Sequence, residues 1–335
     1  LRLAVDDSGL DDRDLSGAAV VVGNAVGAAR DVEGTFCAME NGGVDPARVR
    51  PHDLLQQLSF HSFAHGIASR YRCRGPVLTI STGCTAGLDA VGTAYDLLRA
   101  GCAEVAIAGS SEAPLAPVVF AAFDLIGALS RRNDDPERAS RPFDRDRDGF
   151  VLAEGAAVLV LEERERALAR GAHIYAELSG FASVSNRYHM TNLPSDGRLL
   201  GESIERALAD AGAQAQDIDH VNAHGSSTPQ NDLCETNAIK SALGRRSGEV
   251  SVNSLKSMIG HSLGASNAIE VAACALMLDR QHVFPTINLD HPDDGCDLDY
   301  VANHGRAARI RHLLKLSSGF SGIHSALVMS AAEAL

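Results

Sequence analysis

The sequence repeats itself in outline, and this repeat is the strongest constraint on the fold. LAVDDSGLDDRDLSGAAVVVGNAVGAARD at residues 3–31 can be laid over RALADAGAQAQDIDHVNAHGSSTPQND at residues 206–232. Downstream, VLTISTGCTAGLDAVGTAYDLLRAG and VSVNSLKSMIGHSLGASNAIEVAAC each give an apolar strand, a loop rich in glycine and polar residues, and an alanine-rich helix. The shared order and spacing predict an α/β protein made of two similar halves whose equivalent loops converge.

Apolar runs predict the strands, and segments with helical periodicity predict the helices between them. The predicted strands are 18–23, 77–81, 104–109, 156–161, 175–183, 220–223, 250–254, 313–317 and 325–330. The predicted helices are 83–100, 199–211, 232–243 and 266–279. We divide the chain into an N-terminal half, 1–163, and a C-terminal half, 164–335. The strand predicted at 175–183 precedes the repeat in the second half and has no counterpart in the first, so we expect that the first strand of the N-terminal half is missing here.

Composition and missing motifs narrow the class of protein. The net charge of −13 and the lack of a nucleic-acid-binding motif argue against a nucleic-acid partner. There is no apolar run of transmembrane length, so we expect no membrane partner. The seven cysteines are scattered singly without a CxxC pair, which favours a reducing, cytoplasmic location and no metal site. The charged loop at 131–150 is expected to lie at the surface or a rim.

The side chains that could perform chemistry lie on loops between strands and helices. Cys84, His224, Lys256 and His261 each follow a predicted strand. Because ligands of α/β sheets bind at the carboxyl ends of strands, we expect these residues to converge. Taken singly, Cys84 is also explained by packing and Lys256 by a solvated loop charge. A thiol, two imidazoles and a lysine on equivalent loops favour nucleophilic catalysis.

Five motifs, in the right order, resemble those of the β-ketoacyl synthases of the thiolase-like superfamily. STGCTAGLDA resembles the nucleophile elbow, NAHGSSTPQND the AHGTxT block and NSLKSMIGHSLGA the KxxxGH block. RPFDRDRDGFVLAEGA and SSGFSGIHSA match two further blocks. TGC, GFVLAEGA and SMIGHSLGA are most similar to the catalytic ketosynthase-α subunit of bacterial type II polyketide synthases. The resemblance implies the thiolase-like five-layer αβαβα fold.

The resemblance also implies a decarboxylative Claisen condensation at a Cys-His-His site. Cys84, with its pKa lowered by a helix N-terminus and an imidazole, would take an acyl chain from the phosphopantetheine of an acyl carrier protein. Backbone N–H groups of Cys84 and Phe320 would form the oxyanion hole. His224 and His261 would donate hydrogen bonds to the thioester oxygen of the malonyl carrier protein while CO2 leaves.

The remaining site residues are implied by the same resemblance. Lys256, paired with Glu235, would orient the histidines. Ser226 and Thr228 match the positions that bind the pantetheine arm, and Phe320 matches the gatekeeper beside the nucleophile. The enzyme itself would bind no cofactor and no metal, because its substrates arrive on the carrier protein.

Two other functions stay open at this point. HGSSTP is closer to the fatty-acid elongation enzymes, which are homodimers, and GASNAIE and GFSG depart from the usual GAxGxxE and GFGG. The second alternative is a non-catalytic chain-length factor, which usually has glutamine at the nucleophile position, so Cys84 argues against it. The expected partners are an acyl carrier protein and either a chain-length-factor (ketosynthase-β) homologue in a heterodimer or a second copy. Chain length, the number of condensations and an aromatic or reduced product stay open.

Overall fold

The computed structural model describes residues 1–43, 45 and 49–332. Residues 44, 46–48 and 333–335, which fall within the two predicted halves, lie outside the described residues. The helices are α1 (Arg2–Ser8), α2 (Asp12–Ser16), α3 (Ala29–Glu40), α4 (Pro51–Leu58), α5 (His61–Tyr71), α6 (Ala86–Arg99), α7 (Pro117–Leu125), α8 (Arg164–Ala169), α9 (Arg198–Asp210), α10 (Pro229–Leu243), α11 (Lys256–Ile259) and α12 (Gly264–Arg280).

The strands form two large sheets with the same pairing pattern. The strands are β1 (Ala19–Gly23), β2 (Val77–Ile80), β3 (Val105–Glu112), β4 (Gly155–Glu162), β5 (Glu177–Ser185), β6 (His220–Asn222), β7 (Ser251–Asn253), β8 (His282–Val283), β9 (Arg306–Ala307), β10 (His312–Gly319) and β11 (Ile323–Ser330). The first sheet has the order β2-β1-β3-β4, and the second has the order β7-β6-β10-β11-β5.

The pairing directions confirm the repeat that the sequence predicts. β1 runs parallel to β2 and β3, and β3 pairs antiparallel with β4. In the second sheet, β6 runs parallel to β7 and β10, and β10 pairs antiparallel with β11. β5 extends the second sheet beyond β11, and no described strand does the same beyond β4. The boundary at residue 163 and the missing first strand stay predictions.

Each sheet packs against helices on both of its faces, because successive side chains of a strand point to opposite faces. Val21 packs in the cluster that contains α6 and α12, whereas Val20 packs against α5. Leu313 reaches the same central helices from the second sheet, whereas Leu314 and Leu316 pack against α9 and α10. The described residues therefore stack as helix, sheet, helix, sheet, helix, which confirms the predicted five-layer αβαβα fold.

The central helices α6 and α12 approach each other closely enough to bring the equivalent loops of the two halves together. Gly87 lies at this contact, where an added Cβ would meet the carbonyl oxygen of Gly264 and lie 2.9 Å from the nitrogen of Ala268. Glycine is required here because backbone packs on backbone. This contact places the loop that precedes α6 beside the loop that precedes α12.

The charged loop between α7 and β4 is only partly at the surface, so the prediction for it is wrong in part. Arg141, Asp144 and Arg147 are buried. Arg141 Nε lies 3.1 Å from Asp144 Oδ1, and Arg147 Nη1 lies 2.8 Å from Asp293 Oδ2. These ion pairs satisfy the buried charges and fasten the loop to the second half. None of the helices in the described part of the chain has the length and the apolar run needed to cross a lipid bilayer.

Candidate active site

The predicted site residues meet at a pocket of about 300 Å³. Its lining includes Cys84, His224, Ser226, Thr228, His261 and Phe320. Lys256 and Glu235 lie behind this lining and contact the backbone of His224. The structure therefore brings together every residue that the sequence predicted for the site.

Cys84 lies at a sharp turn between β2 and the central helix α6. Gly83, Cys84 and Thr85 form a single 3-10 turn, and α6 begins at Ala86. Gly83 has a φ of +67°, a left-handed conformation that glycine adopts without a steric penalty. The glycine thus allows the chain to turn and present the cysteine at the start of a buried helix.

Burial controls the acidity of Cys84, and the expectation of a lowered pKa is wrong. Burial raises the pKa of the thiol to about 11, while the charge of Lys256 and a hydrogen bond from the backbone of Phe320 lower it. The thiol is therefore protonated at neutral pH in the free protein. The same contact places the backbone of Phe320 at the sulfur, where an oxyanion hole would need it.

The buried carboxylate of Asp89 holds the turn that carries Cys84 by hydrogen bonds. Asp89, on α6, accepts hydrogen bonds from the hydroxyls of Thr82 (2.5 Å), Thr85 (2.7 Å) and Ser325 (2.5 Å). Ser325 belongs to β11, so Asp89 ties the cysteine turn to the second half. Sequence analysis missed this residue, although it is an isolated acid within an otherwise buried stretch of helix, and such acids need partners.

The second half also holds Cys84 directly. Asn267, on α12, donates from Nδ2 to the carbonyl oxygen of Cys84 at 2.5 Å. Asn267 lies in the GASNAIE segment, where the sequence departs from the family pattern. The departure therefore supplies a side chain that reaches across to the backbone of the other half.

The two histidines face each other edge to face, and their ring centroids lie 5.2 Å apart. Burial and the charge of Lys256 hold the pKa of both His224 and His261 well below its usual range. Both imidazoles are therefore neutral at neutral pH. Nδ1 of His261 lies 3.0 Å from the hydroxyl of Ser266, which already accepts a hydrogen bond from the backbone of Ser262. The Ser266 hydroxyl can thus donate to Nδ1, which leaves the ring proton on Nε2.

Lys256 and Glu235 both bind the backbone of His224, one at its carbonyl oxygen and the other at its N–H group. They do not form the ion pair with each other that was predicted. Lys256 Nζ lies 2.7 Å from Glu270 Oε1 and donates to the carbonyl oxygen of His224 at 2.7 Å. Glu235 accepts hydrogen bonds from the backbone N–H groups of His224 (2.5 Å) and Gly225 (2.7 Å). Burial raises the pKa of Glu235 to about 7. The correction has a geometric cause, since Glu270 lies nearer to the ammonium group than Glu235 does.

Ser226 and Thr228 lie at the side of the pocket where α10 begins. Their hydroxyl oxygens are 2.9 Å apart. Thr228 also caps α10 by accepting a hydrogen bond from the backbone N–H of Asn231 at 3.3 Å. The helix cap therefore fixes the direction of a hydroxyl that lines the pocket.

An aromatic row connects the predicted gatekeeper with a histidine. The ring of Phe320 lies 6.2 Å from that of Phe123, Phe123 lies 5.4 Å from Phe150, and Phe150 lies 5.1 Å from His261, each measured between centroids. Sequence analysis predicted neither Phe123 nor Phe150 as a site residue. Among the described residues, no group of three or more His, Cys, Asp or Glu could hold a metal ion.

The fold and the site define a class of protein, and comparison with known proteins defines the family. A cysteine at the start of a central helix, facing two neutral imidazoles in a duplicated αβαβα fold, is the arrangement of a thiolase-like acyltransferase. The model of the β-ketoacyl synthase N-terminal domain matches residues 2–167, and that of the β-ketoacyl synthase C-terminal domain matches residues 175–290. The chain belongs to the β-ketoacyl synthase family, whose members are transferases that form carbon–carbon bonds.

Individual relatives agree with this assignment. A putative polyketide beta-ketoacyl synthase 1 of Streptomyces cyaneus is 49% identical over 98% of this chain and 79% of its own length. A solved complex, AntDE:AntF, is described as a type II PKS acyl-carrier protein with its ketosynthase bound to the hexaketide. It has a TM-score of 0.94 and 46% identity over 98% of this chain and 82% of the other. A second solved structure, the ishigamide ketosynthase/chain length factor, has a TM-score of 0.90 and 35% identity, and the match covers 98% of this chain and 79% of the other.

Proposed function

We propose that this protein is the condensing ketosynthase-α subunit of a type II polyketide synthase. It joins a malonyl unit, carried by an acyl carrier protein, to an acyl chain held on Cys84. The observation that carries the proposal is the shared pocket, in which the Cys84 thiol, the neutral imidazoles of His224 and His261 and the backbone of Phe320 line one space. The polyketide relatives support the choice of pathway.

The first step moves the acyl chain from the carrier protein to the enzyme. The Cys84 sulfur attacks the carbonyl of the acyl thioester, and the backbone N–H groups of Cys84 and Phe320 stabilise the tetrahedral oxyanion. The bond from carbonyl carbon to pantetheine sulfur then breaks, and the pantetheine thiol takes the proton that Cys84 has lost. Because the free thiol has a raised pKa, deprotonation accompanies attack instead of preceding it.

The second step generates the nucleophile for carbon–carbon bond formation. The malonyl thioester loses CO2, and the electron pair of the broken bond becomes an enolate whose oxygen accepts hydrogen bonds from His224 and His261. The Nε2 proton assigned to His261 supports this donor role. The enolate carbon then attacks the carbonyl of acyl-Cys84, and the bond from that carbonyl carbon to sulfur breaks. The Cys84 thiolate that leaves takes a proton from water, which regenerates the thiol.

The substrates arrive on a phosphopantetheine arm, so the enzyme needs no cofactor of its own. Ser226 and Thr228 are proposed to bind this arm, because their hydroxyls lie at the side of the pocket. A chain-length-factor homologue is the proposed partner subunit. The edge strand β2 supports a subunit contact, because its residues Val77 and Leu78 remain 40% and 38% exposed.

A reconstituted condensation tests the proposal. The chain, alone and co-expressed with a chain-length-factor homologue, is supplied with acyl and malonyl carrier proteins, and the β-ketoacyl product is measured by mass spectrometry. We expect Cys84→Ala to abolish condensation, a loss of at least about 1,000-fold. Cys102→Ala, at an exposed cysteine, is the matched control and should leave the rate unchanged. Full activity of Cys84→Ala would contradict the proposal.

The same experiment distinguishes the pathways. Co-purification with the chain-length-factor homologue, and product formation only in its presence, would support the polyketide subunit. A stable homodimer that extends saturated acyl chains by itself would instead indicate fatty-acid elongation.

A further inference from the structure

A second buried lysine lies behind the pocket and has no place in the reaction described above. Lys315, on β10, is fully buried, and its Nζ lies 2.7 Å from Glu270 Oε2 and donates to the carbonyl oxygen of Leu316 at 2.6 Å. The other carboxylate oxygen of Glu270 lies 2.7 Å from Nζ of Lys256. One buried glutamate therefore joins two buried lysines. With all three groups ionised, this charge group, Lys256–Glu270–Lys315, carries one excess positive charge.

The position of Lys315 follows from the strand alternation. Odd-numbered residues of β10 face the central helices, as Leu313 does, so the lysine side chain is directed toward Glu270 on α12. Its neighbour on β6 is Asn222. A neutral side chain would fit an apolar layer at lower cost, because a buried cation needs compensation. Lys256 and Glu270 already compensate each other, so the second cation is not needed to balance the carboxylate.

The excess charge faces the catalytic groups. The charge of Lys315 lowers the pKa of His224, His261 and Glu235. The lysine that lowers the pKa of the Cys84 thiol is Lys256. The titratable groups that interact with the charge group are Glu235 on α10, Cys274 on α12, Cys84 before α6, His224 after β6 and His261 after α11. Among these neighbours, the carboxylate of Glu235 reduces the field of Lys315 when it is ionised, and the two imidazoles respond to that field.

We propose that Lys315 is a positioning residue for the decarboxylation step: it occupies the second oxygen of Glu270 and so leaves Lys256 with an unneutralised positive charge beside His224 and His261. This inference rests on the proposed function. Together with burial, this charge keeps both imidazoles neutral, so that each presents an N–H donor and neither takes up a proton. It also stabilises the negative charge that develops on the thioester oxygen as CO2 leaves.

Two variants separate charge from packing. Lys315→Met changes the charge group from +1 to 0 and keeps a side chain of similar length. Lys315→Met/Glu270→Gln restores +1, because Lys256 is then the one charge left, and the amide oxygen of the introduced glutamine can still accept its hydrogen bond. Neither variant leaves a buried carboxylate without a counter-ion, and thermal unfolding checks that both fold. Lys240→Met, at a partly exposed lysine of α10, is the matched control.

Three measurements are made on each protein: the pKa values of the histidines by NMR with labelled histidine, the decarboxylation of malonyl carrier protein, and acyl transfer to Cys84. We expect Lys315→Met to raise the pKa of His224 and His261 and to slow decarboxylation about tenfold, as one unit of pKa corresponds to a factor of ten. Acyl transfer should stay within about twofold of wild type, since Lys256 is the lysine whose charge lowers the pKa of the thiol. The double variant should recover most of both losses.

The outcomes distinguish this inference from the proposed function. A wild-type protein that does not decarboxylate malonyl carrier protein would overturn the proposed function itself. An active wild type with an unchanged histidine titration and an unchanged rate in Lys315→Met would overturn the inference alone. Equal impairment of the single and double variants would also overturn it, because packing and not charge would then explain the loss.

Discussion

The loops that precede α6 and α12 occupy equivalent places in the two halves but are built from different interactions. The loop before α6 presents Cys84 and is held by hydroxyl and amide hydrogen bonds around Asp89. The loop before α12 presents His261, and its other side chains include Lys256 of the buried charge group Lys256–Glu270–Lys315. The same strand–loop–helix unit thus carries the proposed nucleophile in one half and, in the other, the buried charges proposed to support the condensation step.

The fourth residue of each central helix contacts the turn that carries Cys84. Asp89 is the fourth residue of α6, and Asn267 is the fourth residue of α12. Asp89 binds the hydroxyls of the cysteine turn in its own half, whereas Asn267 donates across the halves to the carbonyl oxygen of Cys84. Both helices therefore use this position to hold Cys84 or its turn, and the second half also contains the buried lysines.

The largest expected effect tests whether the first half serves acyl transfer and the second half serves decarboxylation. His224→Ala and His261→Ala should each lower decarboxylation by roughly 100- to 1,000-fold, the cost of removing an oxyanion donor. Acyl transfer to Cys84 should fall far less, because the N–H groups of Cys84 and Phe320 remain. The two half-reactions are followed separately, by CO2 release and by acyl-enzyme formation. Equal losses in both would show that the halves do not divide the reaction.

The next effect concerns the support of the cysteine turn. Asp89→Ala deprives three hydroxyls of their shared acceptor and should lower the free energy of unfolding by about 2–4 kcal/mol. Acyl transfer should fall more than decarboxylation, since the turn carries Cys84. Chemical denaturation and the two half-reaction assays measure these losses. Asp96→Ala, an exposed change on the same helix, is the control, and an equal effect there would refute the role of Asp89.

A smaller effect concerns the pH dependence of Cys84. Because burial raises its pKa to about 11, alkylation by iodoacetamide should accelerate steadily up to pH 10, by about tenfold per pH unit. Lys256→Met removes the charge that lowers this pKa, so the variant should react more slowly at each pH. A plateau below pH 8 would show that the start of α6 stabilises the thiolate more strongly than burial opposes it.

The smallest expected effect lies at the glycine of the turn. Gly83→Ala forces a side chain into a left-handed conformation and should cost about 1–2 kcal/mol of stability, although the nearest atom to an added Cβ, the carbonyl oxygen of Phe320, is 4.0 Å away. Gly66→Ala, inside α5 and in open space, is the control and should be neutral or stabilising. Thermal unfolding compares the two variants. Equal stability would show that the left-handed conformation at residue 83 does not require glycine.

Sequence analysis predicted the duplicated fold because the alternation of apolar runs and helical periods survives in both halves. It also predicted Cys84, His224 and His261, since each follows a strand at the same edge of its sheet. It did not predict helices such as α3 and α4, none of whose described side chains is fully buried. Nor could spacing identify the partner of Lys256, because the choice between Glu235 and Glu270 depends on how α10 and α12 pack.

The residues that were missed share a signal that physical reasoning can use. Glu270 and Lys315 are single charges within apolar segments, ASNAIEVAACALM and HLLKLSSG, and such charges must find partners inside the protein. The sequence shows that each needs a counter-ion, but only the fold shows that they share one. The raised pKa of Cys84 was likewise hidden, because burial of the thiol depends on both halves.

Mass spectrometry of the acylated enzyme tests the central claim most directly. Wild-type protein is incubated with an acyl carrier protein that bears a labelled chain, then digested, and the modified peptide is sequenced. The account predicts a single acyl group on Cys84, formed at a similar rate in His261→Ala and absent from Cys84→Ala. An acyl group on another residue, or none in the wild type, would contradict it.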